Sequence, residues 1–184
     1  MILCWRTAMT SLSEYLSRNR TLASPLIGQT IQYITRLMYL APEDELRRES
    51  GPIILETRNG SRLYIDVDEG MGNILVFDAS DKTKPINHTI NNFYYKYIIF
   101  PEGNSQGTLT SLLEQPISNL EIISRLDENY DFYSMCGFRL TFSKGQSVCI
   151  GAYLTDLKIP DVWILMPEEV DINLHYQSLT LASE

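Results

Sequence analysis

The chain has 184 residues, of which 44% are apolar and 21% are charged, a composition typical of a folded globular protein of one ordinary domain. Its 23 acidic and 15 basic side chains give a formal charge of -8. This balance argues against sequence-independent nucleic-acid binding, which needs clustered Lys and Arg to displace counterions from phosphate. It suits a basic protein partner, although net charge also simply favours solubility.

The cysteines and the apolar runs indicate the compartment. Three cysteines, Cys4, Cys136 and Cys149, form no CxxC pair, and an odd number without regular spacing does not predict a disulfide framework. Cys136 and Cys149 alternate with apolar neighbours, so we expect buried thiols in a reducing compartment. No apolar run approaches the ~20 residues of a membrane span, and the start, MILCWRTAMT, lacks the pattern of a signal peptide. We therefore expect a cytoplasmic protein without a membrane partner, with residues 1–8 a frayed leader.

The first predicted element is a helix that begins near Met9 and ends by Ser24. Glu14 falls three residues after Ser11, as in a capping box, and Pro25 disfavours helical angles at the residue before it. The stretch 30–40 is ambiguous alone, because its apolar spacing fits a helix while its β-branched content fits a strand. We interpret it as a strand because the strands downstream need a partner.

A hairpin follows at the strongest short turn signal in the chain. Two alternating segments, 53–57 and 62–67, flank Asn59-Gly60. A Gly-rich turn then leads to a short strand at 74–77. The irregular connector from 78 to about 106 contains one aromatic, β-branched strand at 93–100, and a second short helix at 108–114 precedes Pro116.

The second half of the chain repeats this order. Leu120–Ala152 comprises an apolar segment, a polar loop and two alternating runs joined around Lys144-Gly145. The spacing of Leu140, Gly145 and Ile150 equals that of Leu55, Gly60 and Ile65. Two further matches are Ile34–Leu37 with Ile123–Leu126, and 74–77 with 162–165. Chance similarity of two β meanders is the alternative to a duplication.

The sequence thus predicts an α+β fold dominated by antiparallel meanders. We expect a single domain over 1–184, pseudo-duplicated at about 9–78 and 107–172, with each half beginning with a short helix. The connector contributes one strand. A last strand within Ile172–Leu181 pairs at an edge or bridges to the other half.

The segment YIDVDEG contains the clearest group of carboxylates. Alternation along a strand places Asp66 and Asp68 on one face, followed by Glu69. Two carboxylates on one face suit a divalent-metal-dependent hydrolase or nuclease. The ligand series of a calcium loop is missing, however, and a solvated strand end is the simpler interpretation. A small-molecule-binding scaffold, with its ligand between the halves, is a further alternative.

A second candidate surface is the loop 127–133. Asp127, Glu128 and Asp131 add negative charge, and Tyr130 and Tyr133 offer large amphipathic contact area at low entropic cost. No phosphate-binding loop, dinucleotide fingerprint, zinc-protease motif or nucleophile elbow is present. The sequence therefore predicts no catalytic residue, no metal site and no cofactor.

The chain resembles the bacterial immunity proteins that neutralise polymorphic toxins, including those of contact-dependent growth inhibition. The resemblance rests on IGQTIQYI at 27–34, the strand–Asn59-Gly60–strand hairpin and GFRLTFSKGQSVCIG at 137–151, in a small acidic chain without catalytic motifs. It implies a cytoplasmic, non-enzymatic protein that binds one toxin domain, often a basic nuclease. Inhibition would combine steric occlusion with pairing of carboxylates against the Lys and Arg of the toxin.

Overall fold

The computed structural model describes residues 12–39, 51–68, 73–79, 94–100, 107–127, 132–157 and 161–179; the predicted leader, 1–8, lies outside them. Helix α1 spans Leu12–Ala23 and helix α2 spans Gly107–Leu113, as predicted. α1 ends in a single 3-10 turn at Ser24–Leu26, where Pro25 disfavours a longer helix. Neither helix in the described ranges is long and apolar enough to cross a membrane.

Within the part of the chain that the structure describes, the strands form two antiparallel sheets of five strands each. The first sheet contains β1 (Ile31–Tyr39), β2 (Ile53–Thr57), β3 (Arg62–Asp68), β4 (Asn73–Asp78) and β5 (Tyr94–Phe100). The second contains β6 (Ile117–Asp127), β7 (Phe132–Phe142), β8 (Ser147–Gly151), β9 (Trp163–Leu165) and β10 (His175–Ser178). The predicted strand-dominated α+β class is confirmed, and Ile31–Tyr39 of the ambiguous stretch is a strand.

The two sheets have the same connectivity. Their strand orders are β4-β3-β2-β1-β5 and β9-β8-β7-β6-β10, so in each sheet four strands meander and the fifth returns to pair with the first. The register also shifts at the same place, between Ile31 and Tyr33 in β1 and between Ile117 and Asn119 in β6. Each sheet is preceded along the chain by a helix.

The sheets are joined where β1 and β6 begin. The Gly28 N–H donates to the Ile117 carbonyl at 2.7 Å, and the Ile117 N–H donates to the Gln29 carbonyl at 2.8 Å. Thr30 and Pro116 form a β-bridge beside this pair. Reciprocal hydrogen bonds hold the two chain segments antiparallel, so the sheets are connected through backbone as well as through side chains.

One hydrophobic core takes side chains from both sheets and both helices. Ile34 lies opposite Leu55 in the first sheet, and Leu120 lies opposite Leu140 in the second, and all four are buried. By strand pairing Ile34 therefore corresponds to Leu120. The sequence match paired Ile34 with Ile123, which is three residues further along β6. The hairpin spacing that relates Leu55 to Leu140 agrees with the strand pairing.

Two predicted boundaries are wrong. Phe132 and Tyr133 were assigned to a loop, but both lie in β7, because β6 and β7 form a hairpin with eleven residues in each strand. The last strand is only His175–Ser178 and pairs with β6 of its own sheet. Ile172, which the alternating pattern placed in that strand, precedes it and is 94% exposed.

Candidate functional site

After β8 the chain forms two segments, 153–157 and 161–174, the second of which includes β9, and we call them the C-terminal layer. Three of its buried side chains, Leu154, Val170 and Leu174, pack in a cluster separate from the main core, whereas Val162 packs in the main core. The separate cluster is completed by Ile123, Cys136 and Cys149 of the sheet. The layer is thus fixed by apolar burial.

Arg125 of β6 holds the two parts of this layer together. Its Nη1 donates to Asp171 Oδ2 at 2.7 Å, and its Nη2 donates to the carbonyls of Tyr153 at 3.0 Å and Thr155 at 2.9 Å. The Asp171 N–H donates to the Leu154 carbonyl at 2.9 Å. Charge-assisted bonds of this kind are stronger than neutral ones, so the Arg125–Asp171 pair fixes the geometry of the layer.

The electrostatics of Asp171 match this role. The hydrogen bond from the Asn173 backbone N–H, followed by that from Arg125, lowers the pKa of Asp171 below its usual range. Tyr153 has a φ of 57°, the left-handed region that non-glycine residues rarely adopt. Its carbonyl receives two donors from Arg125 (Nε at 3.3 Å and Nη2 at 3.0 Å), which stabilise this backbone.

The layer exposes two aliphatic side chains. Ile172 is 94% exposed and Leu157 is 75% exposed. The Leu154–Asp171 hydrogen bond lies three residues before Leu157 in one segment and one residue before Ile172 in the other. The clamp therefore holds the two segments that carry these side chains next to each other.

Charge is unevenly distributed over the side chains that the structure describes. The exposed carboxylates are Asp78, Glu114, Asp156, Glu168 and Glu169. The exposed cations are Arg18, Arg58 and Lys144. Lys144 lies in the tight turn between β7 and β8, near the start of β6, whereas Arg125 lies eight residues along β6, about 25 Å away by strand rise. The Arg125–Asp171 clamp is therefore remote from the cationic turn, and three of the five exposed carboxylates lie in the C-terminal layer.

The remaining outer face of the second sheet carries a charged pair and an aromatic ring. Arg139 Nε lies 3.7 Å from Glu121 Oε2, and its guanidinium lies 5.5 Å from the centre of the Tyr176 ring. These contacts are partly exposed, and pairs of this kind contribute little to stability. They extend the polar surface beside the C-terminal layer.

The two described thiols are not reactive. Burial raises the pKa of Cys136 to about 11, against a smaller lowering by Arg125. Burial likewise raises the pKa of Cys149 to about 11, and Arg139 opposes the shift. The thiolate is the nucleophilic form, so neither cysteine is activated at neutral pH. Neither forms a disulfide within the described residues, and both are packed in the cluster with Leu154, Val170 and Leu174, as predicted for buried thiols.

Asp66 lies on the outer face of the first sheet and is half-buried. Its Oδ2 accepts the Tyr64 hydroxyl at 2.7 Å, and its Oδ1 accepts the Val67 N–H at 2.8 Å. Both oxygens therefore help to hold the strand. Across the described ranges no group of three or more His, Cys, Asp or Glu side chains is arranged to hold a metal ion.

The other residues of the two predicted surfaces are only partly within the described structure. Asp68 ends β3, Asp127 ends β6 and Tyr133 lies in β7, each with its backbone alone described. Glu69, Glu128, Tyr130 and Asp131 lie outside the described residues. The β3 backbone places Asp66 and Asp68 two residues apart in one strand. Asp68 pairs with Asn73, whose Oδ1 accepts the Met135 N–H of β7 at 2.8 Å, so the end of β3 lies close to the β6–β7 hairpin.

The comparisons give this chain no relatives. No protein-family model, no curated protein and no solved structure matches it. Functional inference therefore depends on the site itself.

Sequence patterns missed the residues that distinguish the C-terminal layer. Ile172 fits a strand by alternation, so its exposure was not expected. Leu157 stands alone between Asp156 and Lys158, where a single exposed leucine is ordinary. The available signal was charge: between Ala152 and Leu174 the sequence has five carboxylates and one lysine.

Proposed function

We propose that this chain is a non-enzymatic binding protein that neutralises a cognate basic toxin domain, and that it acts as an immunity protein in the cytoplasm. The observation that carries the proposal is the orientation of its charged groups. Arg36, Arg62 and Arg125 are at least half-buried and donate to carbonyl or carboxylate oxygens of the same chain. Exposed carboxylates, in contrast, are concentrated on the C-terminal layer.

This orientation makes part of the surface more acidic than the net charge suggests. An arginine that donates inward contributes less to recognition than one that extends into solvent, whereas Asp156, Glu168 and Glu169 face solvent. Complementary charge raises the rate of encounter with a cationic partner and suppresses anionic ones. The buried, unactivated thiols are compatible with a reducing cytoplasm.

Stoichiometric protection tests the proposal. Cationic toxin domains, taken first from any toxin gene found beside this one, are each expressed in a bacterial host with graded amounts of this chain. A binding protein restores growth only when it reaches molar equivalence with the toxin domain, and the purified pair forms a stable complex in calorimetry. An unrelated protein of similar size and charge is the control. Protection at a small fraction of molar equivalence indicates catalysis instead, and absence of both binding and protection refutes the proposal.

A further inference from the structure

We propose that the C-terminal layer is the docking surface for the basic partner, with Ile172 and Leu157 as its apolar anchors and Asp156, Glu168 and Glu169 as its charged rim. This inference rests on the proposed function and adds where, and by what chemistry, the partner is bound. The partner surface is a Lys- and Arg-rich face around an apolar depression.

Both anchors are more exposed than the other large apolar side chains that the structure describes. Burial of such a side chain against a partner is favourable because it removes apolar surface from water. The other large apolar side chains that the structure finds exposed, Tyr33, Phe77 and Tyr176, are each less than two-fifths exposed. Ile172 and Leu157 are therefore the two that a partner would protect most from water.

The C-terminal layer is held rigidly before any partner binds. Leu154 and Val170 are buried beneath the layer, and Arg125 binds both segments that carry the anchors. A surface that is ordered before binding avoids the entropic cost of ordering it during association. The layer thus has the features of an interface core, with aliphatic side chains in fixed positions rather than on a free terminus.

The negative charge of the C-terminal layer favours one class of partner. Interfaces surround an apolar centre with a polar rim, and here the exposed rim is acidic. A second copy of the same face, an anionic membrane or a nucleic acid would each be repelled. A cationic protein surface is attracted. Charge complementarity therefore favours a basic protein over the other three occupants.

The surface differs from the one that the sequence suggested at Asp66. That carboxylate is half-buried and accepts hydrogen bonds from Tyr64 and Val67, so it is already bound within its strand. Asp156 and Glu168 are exposed on the layer instead. The two locations can be separated by substitution, because they lie in different sheets of the fold.

The test uses the full chain and the purified toxin domain against which it protects in the growth experiment above. Ile172→Ser and Leu157→Ser should each weaken binding roughly tenfold or more, as substitutions of interface anchors do. Asp156→Asn combined with Glu168→Gln should lower the association rate, and the difference from the wild type should disappear in high salt. The matched controls, Tyr33→Ser and Glu114→Gln, change exposed positions away from the layer and should leave affinity within twofold.

Each outcome separates the two proposals. Unchanged thermal melting shows that the variants are folded, as expected at positions so exposed. If the wild type binds the toxin domain and the anchor variants bind it equally tightly, this inference is wrong and the proposed function is unaffected. Failure of the wild type to bind overturns the proposed function. A wild-type dimer that the anchor variants abolish, or binding to vesicles containing phosphatidylserine, assigns the surface to another occupant and also overturns the inference.

Discussion

In the first sheet the outer face carries its polar contacts directly on the strands, with Arg62 Nε 3.0 Å from Glu56 Oε2 and the Tyr64 hydroxyl 2.7 Å from Asp66. In the second sheet the corresponding face carries a similar pair on its strands, Arg139 with Glu121, and in addition Arg125 donates to Asp171 of the C-terminal layer at 2.7 Å. The inner faces share one core. The framework of strands and a charged pair between neighbouring strands are thus common to both halves, whereas among the described residues the C-terminal layer belongs to the second half alone.

One pair of positions shows how the difference arises. Gly151 follows Ile150 in β8 as Asp66 follows Ile65 in β3. Gly151 lies opposite Gly137, and a Cβ on Gly151 would stand 2.1 Å from the Cys136 carbonyl oxygen. The position that carries a side chain at Asp66 in the first sheet is thus a glycine in the second, where the backbones of β7 and β8 lie too close for a Cβ. An internal duplication would account for the shared framework, and it stays a prediction.

The largest expected effects test whether the shared core unites the sheets. Leu55→Ala and Leu140→Ala remove buried side chains from equivalent positions, and each should cost about 2–5 kcal/mol because each leaves a cavity. Denaturant unfolding in a Trp5→Phe background, where Trp163 is the remaining tryptophan, should remain a single transition for both variants by far-UV circular dichroism and by fluorescence. The control, Gln32→Ala on the exposed side of β1, should change the free energy of unfolding by at most about 0.5 kcal/mol.

A separate early transition in circular dichroism for Leu55→Ala, with the Trp163 signal intact, would contradict this expectation. It would mean that the first sheet unfolds alone and that the common core does not couple the halves.

A somewhat smaller effect tests the close approach of β7 and β8. Gly151→Ala should destabilise the protein by about 3 kcal/mol, because the new methyl group meets backbone rather than a movable side chain. The control is Gly145→Ala in the tight turn, where φ is +84° but the space is open, so only the left-handed backbone costs about 1 kcal/mol. Thermal unfolding of the two variants measures the difference. Equal losses would show that the strands can separate to admit a side chain.

Much of this comparison was predictable from sequence, for physical reasons. Alternation and the turn residues Asn59-Gly60 and Lys144-Gly145 determine the hairpins locally, so the meanders and their shared spacing could be derived. The first strand could not be assigned from its own pattern, because its apolar spacing fits two structures. Its assignment depended on the need of β2 for a partner.

The candidate site was less accessible to sequence reasoning. Arg125 acts through contacts with Thr155 and Asp171, which lie 30 and 46 residues away and are brought together only by the fold. The match of Ile34–Leu37 with Ile123–Leu126 aligns Arg125 with Arg36 and so predicts a repeated strand, but it does not predict the contacts of the Arg125 side chain. Exposure of Ile172 depends on β10 beginning at His175, a boundary that apolar alternation cannot predict.

The smallest effect concerns the Arg125–Asp171 clamp of the second half. Asp171→Asn should cost about 2 kcal/mol at pH 7, because the charge-assisted bond to Arg125 is lost. Since the pKa of Asp171 is lowered in the folded state from its ordinary 3.8, the unfolded chain binds its proton first as pH falls. The advantage of wild type over Asp171→Asn is therefore full above about pH 5, declines below the unfolded pKa and is lost below the folded one.

Denaturant titrations between pH 7 and pH 3 measure the free energy of unfolding of the wild type and of Asp171→Asn. The other titrating groups are the same in both proteins, so their contributions cancel in the difference. Asp156→Asn removes the same charge from an exposed position of the layer and should give a curve nearly parallel to that of the wild type. A wild-type advantage that stays constant down to pH 3 would show that Asp171 stabilises the layer by shape rather than by charge. The Arg125 contact would then be no more important than the partly exposed Arg139–Glu121 pair beside it.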